Sequence, residues 1–290
     1  MNSNGPPSTG AAGWHFGIMA KPKILRLDFE TRSEVDLPSC GAYKYAESDT
    51  AKVLVLAVQG DGPVLSWDIR REPNEAIDLL REAIVGGWEI HAYNSQFEWC
   101  ILKYVCPRQL GLPVPDINNM RCTAAVCRSA GMRPRLGQVA EFLKVPVQKD
   151  KIGSVLIQKF CVPRKKEGGF IEWNSGEMLT VVGSKMSSEE AFEKFVSYCE
   201  TDVATEAAVA EAMKSFALKG YALDSFLLTA RLNQRGVPVD VEALRAAQTL
   251  YKQQERYLVE DFVELTGFSP TQTARVLEWC HAREIGRAHV

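Results

Sequence analysis

With 290 residues, 46% of them apolar and 24% charged, the chain has the makeup of a folded globular protein. It is long enough for one large core, or for a domain of about 200 residues with part of another. No run approaches the roughly 18 apolar residues of a membrane span, and no basic stretch followed by an apolar one marks a secretory leader. The net charge of −2 gives no global pull on nucleic acid, so any such site must be local.

Residues 1–18 are rich in Gly, Ser, Asn, Pro and Ala without periodicity, and residues 1–20 are expected to be disordered. Lys23–Glu30, Lys52–Gly60 and Pro63–Asp68 read as strands, the last two joined by the Gly60-Asp61-Gly62 turn. Asn74–Val85 reads as an amphipathic helix, Trp88–Tyr93 as a strand and Ser95–Val105 as a helix. Helices are predicted over Asn119–Ala130, Leu136–Val145 and Ile152–Phe160. Pro163–Lys185 mixes charge with glycine and reads as a loop. Ser187 and Glu190 form a capping box at the start of a long helix running to about Leu218. Beyond Gly220 come helices over Tyr221–Gln234 and Val241–Thr266, the latter with Asp240 as N-cap. Strands followed by helices predict a mixed α/β domain with an all-helical C-terminal extension. The eight cysteines form no C-x-x-C pair and do not interleave with the four histidines. That speaks against zinc and for a reducing compartment.

Leu27-Asp28-Phe29-Glu30 carries the chemistry. On a strand, Asp28 and Glu30 share one face while Leu25, Leu27 and Phe29 share the other. Like charges side by side are unfavourable unless a cation lies between them, so a divalent metal site is the first hypothesis. Glu98 falls in the first turn of the helix after the Trp88–Tyr93 strand. Tyr198 and Asp202, four apart on the long helix, share a face beside its apolar stripe, at the rim of the core. Taken singly, each fits a solvated strand face, a first-turn carboxylate or a surface pair. Their combination, in this order and at domain-scale spacing, points to a site.

These motifs resemble those of the DEDD exonucleases. Asp28 and Glu30 match the first motif, Asn94, Phe97 and Glu98 resemble the second, and Tyr198 and Asp202 match the third in its tyrosine form. The likeness runs from about Lys21 to Leu218 and is greatest to the 3′–5′ proofreading domains of family A, DNA polymerase I type, polymerases of phages. It implies a ribonuclease H-like fold over 21–219. Residues 220–284 resemble the start of a polymerase region, with thumb-proximal helices, and 285–290 read as a non-native tail. No palm or fingers sequence follows, as if the reading frame were truncated.

The resemblance implies a two-metal exonuclease acting on single-stranded DNA 3′ ends and releasing nucleoside monophosphates. Mg²⁺ is the expected metal, with Mn²⁺ as substitute. Asp28 would bridge both ions, Glu30 and Asp202 would complete the site that activates water, Tyr198 would orient that water, and Glu98 would help hold the second ion. The family usually has Asp where this chain has Glu98, a methylene that moves the carboxylate by about 1.5 Å. Asn94, Phe97, Lys149 and Lys151 are candidate DNA contacts. The implied setting is a monomer on primer-template DNA in the cytoplasm, a bacterial host's if phage-encoded. The competing readings are a catalytically silent DNA-bracing domain and a free-standing exonuclease like ribonuclease D.

Overall fold

Alternation along β1 (Ile24–Arg32) organises the molecule. Leu25, Leu27 and Phe29 are buried on one side of the sheet, while Arg26, Asp28 and Glu30 project from the other. The computed structural model describes residues 23–146, 152–164 and 168–286. The predicted disordered start at 1–20, Lys149, Lys151 and most of the 285–290 tail lie outside the described residues.

β1 is the middle strand of a five-stranded mixed sheet. Its partners are β2 (Lys52–Gln59), β3 (Leu65–Asp68), β4 (Glu89–Ala92) and β5 (Met120–Cys122), in the order β3-β2-β1-β4-β5. β2 runs antiparallel to its neighbours β1 and β3, whereas β1, β4 and β5 pair in parallel. Helices flank this sheet and a helical part follows it, an α/β architecture consistent with the ribonuclease H-like fold implied by the motifs.

β2 reads in sequence as an unbroken apolar run because both of its faces are covered. Val53, Leu56 and Val58 enter one core, with Leu54, Val55 and Ala57 in the other. The break in alternation comes from a register shift opposite Glu30 and Thr31, where an extra residue bulges from β2. The first core is closed by α1 (Leu37–Glu47), α2 (Glu75–Val85) and α3 (Ser95–Cys100). The second is closed by α7 (Gly153–Phe160) and the long α8 (Ser188–Ala212), on which Phe160, Phe192 and Phe195 interlock. α6 (Leu136–Leu143) adds a third, smaller cluster, with Val139 and Ala140 packed by Val209 of α8.

Several expectations are corrected. Asn119–Ala130 is not one helix, because β5 occupies Met120–Cys122 and α5 spans Thr123–Ser129. Three residues are too few for a periodicity, and only pairing with β4 makes them a strand. Pro163–Lys185 contains β6 (Met178–Val181), which pairs with β7 (Ser184–Ser187) through a two-residue turn. Val182 and Gly183 both take positive φ there, as a primed hairpin turn requires. Ser187 does cap α8, accepting a hydrogen bond from Glu190 N at 3.1 Å. That helix ends at Ala212, short of Leu218, and a 3₁₀ turn over Lys214–Phe216 follows. The helix at Ser95 extends beyond Val105, passing through a π-helical stretch, Ile101–Val105, into α4 (Cys106–Leu110). α1, unforeseen, is capped by Asp36 and kinked at Gly41, where φ is +77°.

The chain divides into two compact units, Met1–Gln234 and Arg235–Val290. α9 (Tyr221–Arg235) falls almost wholly in the first. The second contains α10 (Val241–Thr266), capped by Asp240, and α11 (Thr273–Ala282). No described helix is long and apolar enough to cross a membrane.

Candidate active site

The charged face of β1 meets one face of α8. Asp28 sits opposite Ala57 and Glu30 opposite Val55 on β2, so the neighbouring strand offers small and apolar side chains beside the two acids. From α8 comes Asp202, buried to 5% exposure rather than lying at a rim. Carboxylate oxygens of Asp28, Glu30 and Asp202 lie within 4.8 Å of one another. Like charges at that spacing repel by on the order of a few kcal/mol per pair, an arrangement that a divalent cation stabilises.

Glu98 approaches from α3 and is also buried. Its carboxyl is held well above the usual carboxylate range, first by burial and then by the charge of Asp28. Its Oε2 has no hydrogen-bond partner among the described residues. A buried carboxylate oxygen of this kind beside a three-acid cluster fits a cation, and an all-oxygen donor set suits a hard one such as Mg²⁺ or Mn²⁺. Glu98 is not one of the three residues in the 4.8 Å group.

Tyr198, one turn before Asp202, is 3% exposed. Its hydroxyl shares a side-chain hydrogen bond with Asp202, and burial, Asp202, Glu30 and Asp28, in that order, push its pKa up. The phenol therefore keeps its proton. The ring lies parallel to Phe195 at a centroid distance of 6.4 Å. Its other constraint is Gly153, where a Cβ would come within 2.0 Å of the tyrosine ring. That close approach is why glycine stands at the start of α7. Cys199, fully buried, turns its thiol toward the Asp28 backbone oxygen at 3.5 Å and Oδ2 at 3.6 Å.

Asp28, Glu98, Tyr198 and Asp202 line a cleft of about 980 Å³. Asn94 lines it too, and although it is the N-cap of α3 its side chain makes no capping bond. Phe97 packs against the first core, 5.9 Å from Tyr45, and is not among the lining residues. The cleft is also lined by Arg128 and Arg135, which the motifs did not single out. A lone arginine at a helix end leaves no periodic signal; the Arg133-Pro134-Arg135 loop was the sole hint. His91 pairs with Glu89 at 3.2 Å, away from this cleft.

The chain is homologous to a DNA polymerase. It is 32% identical over 265 residues to the DNA polymerase of Bacillus phage SP02, covering 89% of this chain and 38% of that polymerase. It thus spans well under half the length of this relative. Its structure aligns at a TM-score of 0.41 with the family B DNA polymerase of Pyrobaculum calidifontis, at 16% identity over 72% of this chain and 27% of that one. No family model matches the chain.

Proposed function

We propose that the first unit is a 3′–5′ exonuclease domain of the tyrosine-type DEDD group, serving as the proofreading part of a family A type DNA polymerase. The observation that carries this reading is the convergence of Asp28, Glu30 and Asp202 within 4.8 Å in a chain homologous to a DNA polymerase.

The reaction is attack of water on the terminal phosphodiester, with the bond to the penultimate 3′ oxygen breaking and a nucleoside 5′-monophosphate leaving. Asp28, Glu30 and Asp202, with Glu98 beside Asp28, are the residues that would hold two divalent cations. Such ions, when bound, lower the pKa of a coordinated water and offset the charge gathering on the phosphate. Tyr198, fixed by Phe195 and Gly153 and kept protonated, orients the attacking water. Asn94, whose side chain makes no capping bond, would offer its amide to the terminal nucleotide. Arg128 and Arg135 line the wall where a single strand's phosphates would pass, a mode tolerant of sequence. Lys149 and Lys151 are further candidates for phosphate contact, and the cytoplasm of a bacterial host is the setting this function implies.

The test is degradation of 3′-labelled single-stranded and mismatched-primer DNA in Mg²⁺ or Mn²⁺. Asp28→Ala is expected to lower the rate by about 1,000-fold, since several kcal/mol of metal-derived stabilisation is removed, with the circular dichroism spectrum unchanged. Undiminished degradation by that variant would sink the assignment.

A further inference from the structure

A buried carboxylate on α8 has no part in this chemistry. Glu206 lies on α8 one turn beyond Asp202 and is 3% exposed. Thr123, the first residue of α5, donates its hydroxyl to Glu206 Oε1. Arg26 Nη1 donates to Glu206 Oε2 at 3.4 Å. Three elements therefore meet on one carboxylate: β1, the β5–α5 junction and α8.

The positions of these residues match those of the site. Arg26, Asp28 and Glu30 are alternate residues on one face of β1, and Glu206, Asp202 and Tyr198 are successive turns on one face of α8. Arg26 meets Glu206, and one step along both elements Asp28 and Glu30 meet Asp202, all three carboxylates lying within 4.8 Å of one another. Two strand residues advance about 6.6 Å and four helix residues about 6.0 Å, so adjacent rungs stay within about 0.6 Å of one another's step. The Arg26–Glu206 rung is the neighbour of the rung that brings two of the proposed metal ligands together.

We propose that Arg26, Glu206 and Thr123 form a register clamp, setting the rotation and height of α8 on β1 and thereby the placement of Asp202 against Asp28 and Glu30. The inference rests on the exonuclease reading above, and Glu206 is a positioning residue within it. A rotation of α8 by about 10° moves a side chain at a radius of about 5.5 Å by about 1 Å. Site groups need placement to roughly 0.5 Å, and a 1 Å error lowers rates by about 100-fold. The hydrophobic driving force is non-directional, so a directed polar contact beside the interlocked aromatic residues adds an angular restraint that burial itself does not supply. A partly buried ion pair such as Arg26–Glu206 adds little to stability over a well-packed apolar substitute, but its hydrogen bonds, with that from Thr123, are directional.

The test is an apolar replacement of the clamp in the full chain, Arg26→Met with Thr123→Val and Glu206→Leu, beside Glu206→Gln. Melting temperature, Mn²⁺ affinity by calorimetry, and kcat and KM on single-stranded DNA are measured. The triple variant is expected to melt no lower than wild type, yet to lose 10- to 100-fold in kcat and several-fold in Mn²⁺ affinity with KM unchanged. Glu206→Gln, which keeps the Thr123 bond, should stay within about threefold of wild-type kcat. A folded triple variant with wild-type kcat and Mn²⁺ affinity overturns the clamp while leaving the nuclease reading intact. Should the triple variant not fold, Glu206→Asp, which keeps the charge and shortens the reach, carries the same expected loss of kcat; wild-type kcat there overturns the clamp too. A wild-type chain that neither binds Mn²⁺ nor cleaves DNA overturns the exonuclease reading itself, an outcome distinct from the others.

Discussion

The two faces of β1 follow opposite rules. On one, Leu25, Leu27 and Phe29 are buried among the side chains of α1, α2 and α3, and any apolar group of the right volume would serve. On the other, Arg26, Asp28, Glu30 and Arg32 carry charge into a packed interface with α8 and its surroundings. Charge is tolerated there because each group has a specified counterpart: Glu206 for Arg26, Glu172 for Arg32, and, on our reading, cations for the acids. One face thus secures stability and the other secures geometry. A single strand can do both because its side chains alternate.

If that division is right, substitutions on the two faces should separate stability from activity. The largest expected effect is on the apolar face. Leu27→Ala should destabilise the first unit by about 2–5 kcal/mol in urea unfolding, while exonuclease turnover per folded molecule stays within about twofold of wild type. A comparable loss of turnover would blur the division. Gly153→Ala probes the other face. The new methyl must displace the Tyr198 ring, and kcat should fall by about 100-fold, the scale of a 1 Å misplacement, with KM little changed. In a Tyr198→Phe background the same change should have a much smaller effect, because the hydroxyl it misplaces is already gone. The smallest effect is expected at the cleft wall. Arg128→Ala should raise KM for single-stranded DNA several-fold, leave kcat alone, and reduce the slope of log affinity against log salt by about 0.7. A change in kcat there would move Arg128 from holding the strand to the chemistry.

Much of this division was legible in the sequence, because it is written in local periods. Asp28 and Glu30 two apart on an apolar strand, and Tyr198 and Asp202 four apart on a capped helix, announce shared faces. What stayed hidden is what depends on tertiary pairing. β5 is a strand by virtue of β4 alone. The β6–β7 hairpin turns at Val182-Gly183, a pair without the usual Asn-Gly or Asp-Gly signal. Gly153 reads as an ordinary helix start until the Tyr198 ring is placed on it. Glu206 carries no signal in the sequence, since nothing local tells a solvated glutamate from one held by Arg26 and Thr123.

The pairing of β1 with α8 also behaves as a vernier. Strand and helix advance by steps that differ by about 0.6 Å, so two scales laid side by side coincide at one graduation and drift apart on either side. With coincidence at Asp28 and Asp202, the flanking rungs are already off by about the tolerance of a catalytic group. Farther along, each side takes another partner: Arg32 turns to Glu172, and Lys194 reaches back along its own helix to Glu190 at 4.0 Å. A strand laid on a helix in this way has room for one well-aligned crossing, and here it falls on the carboxylates.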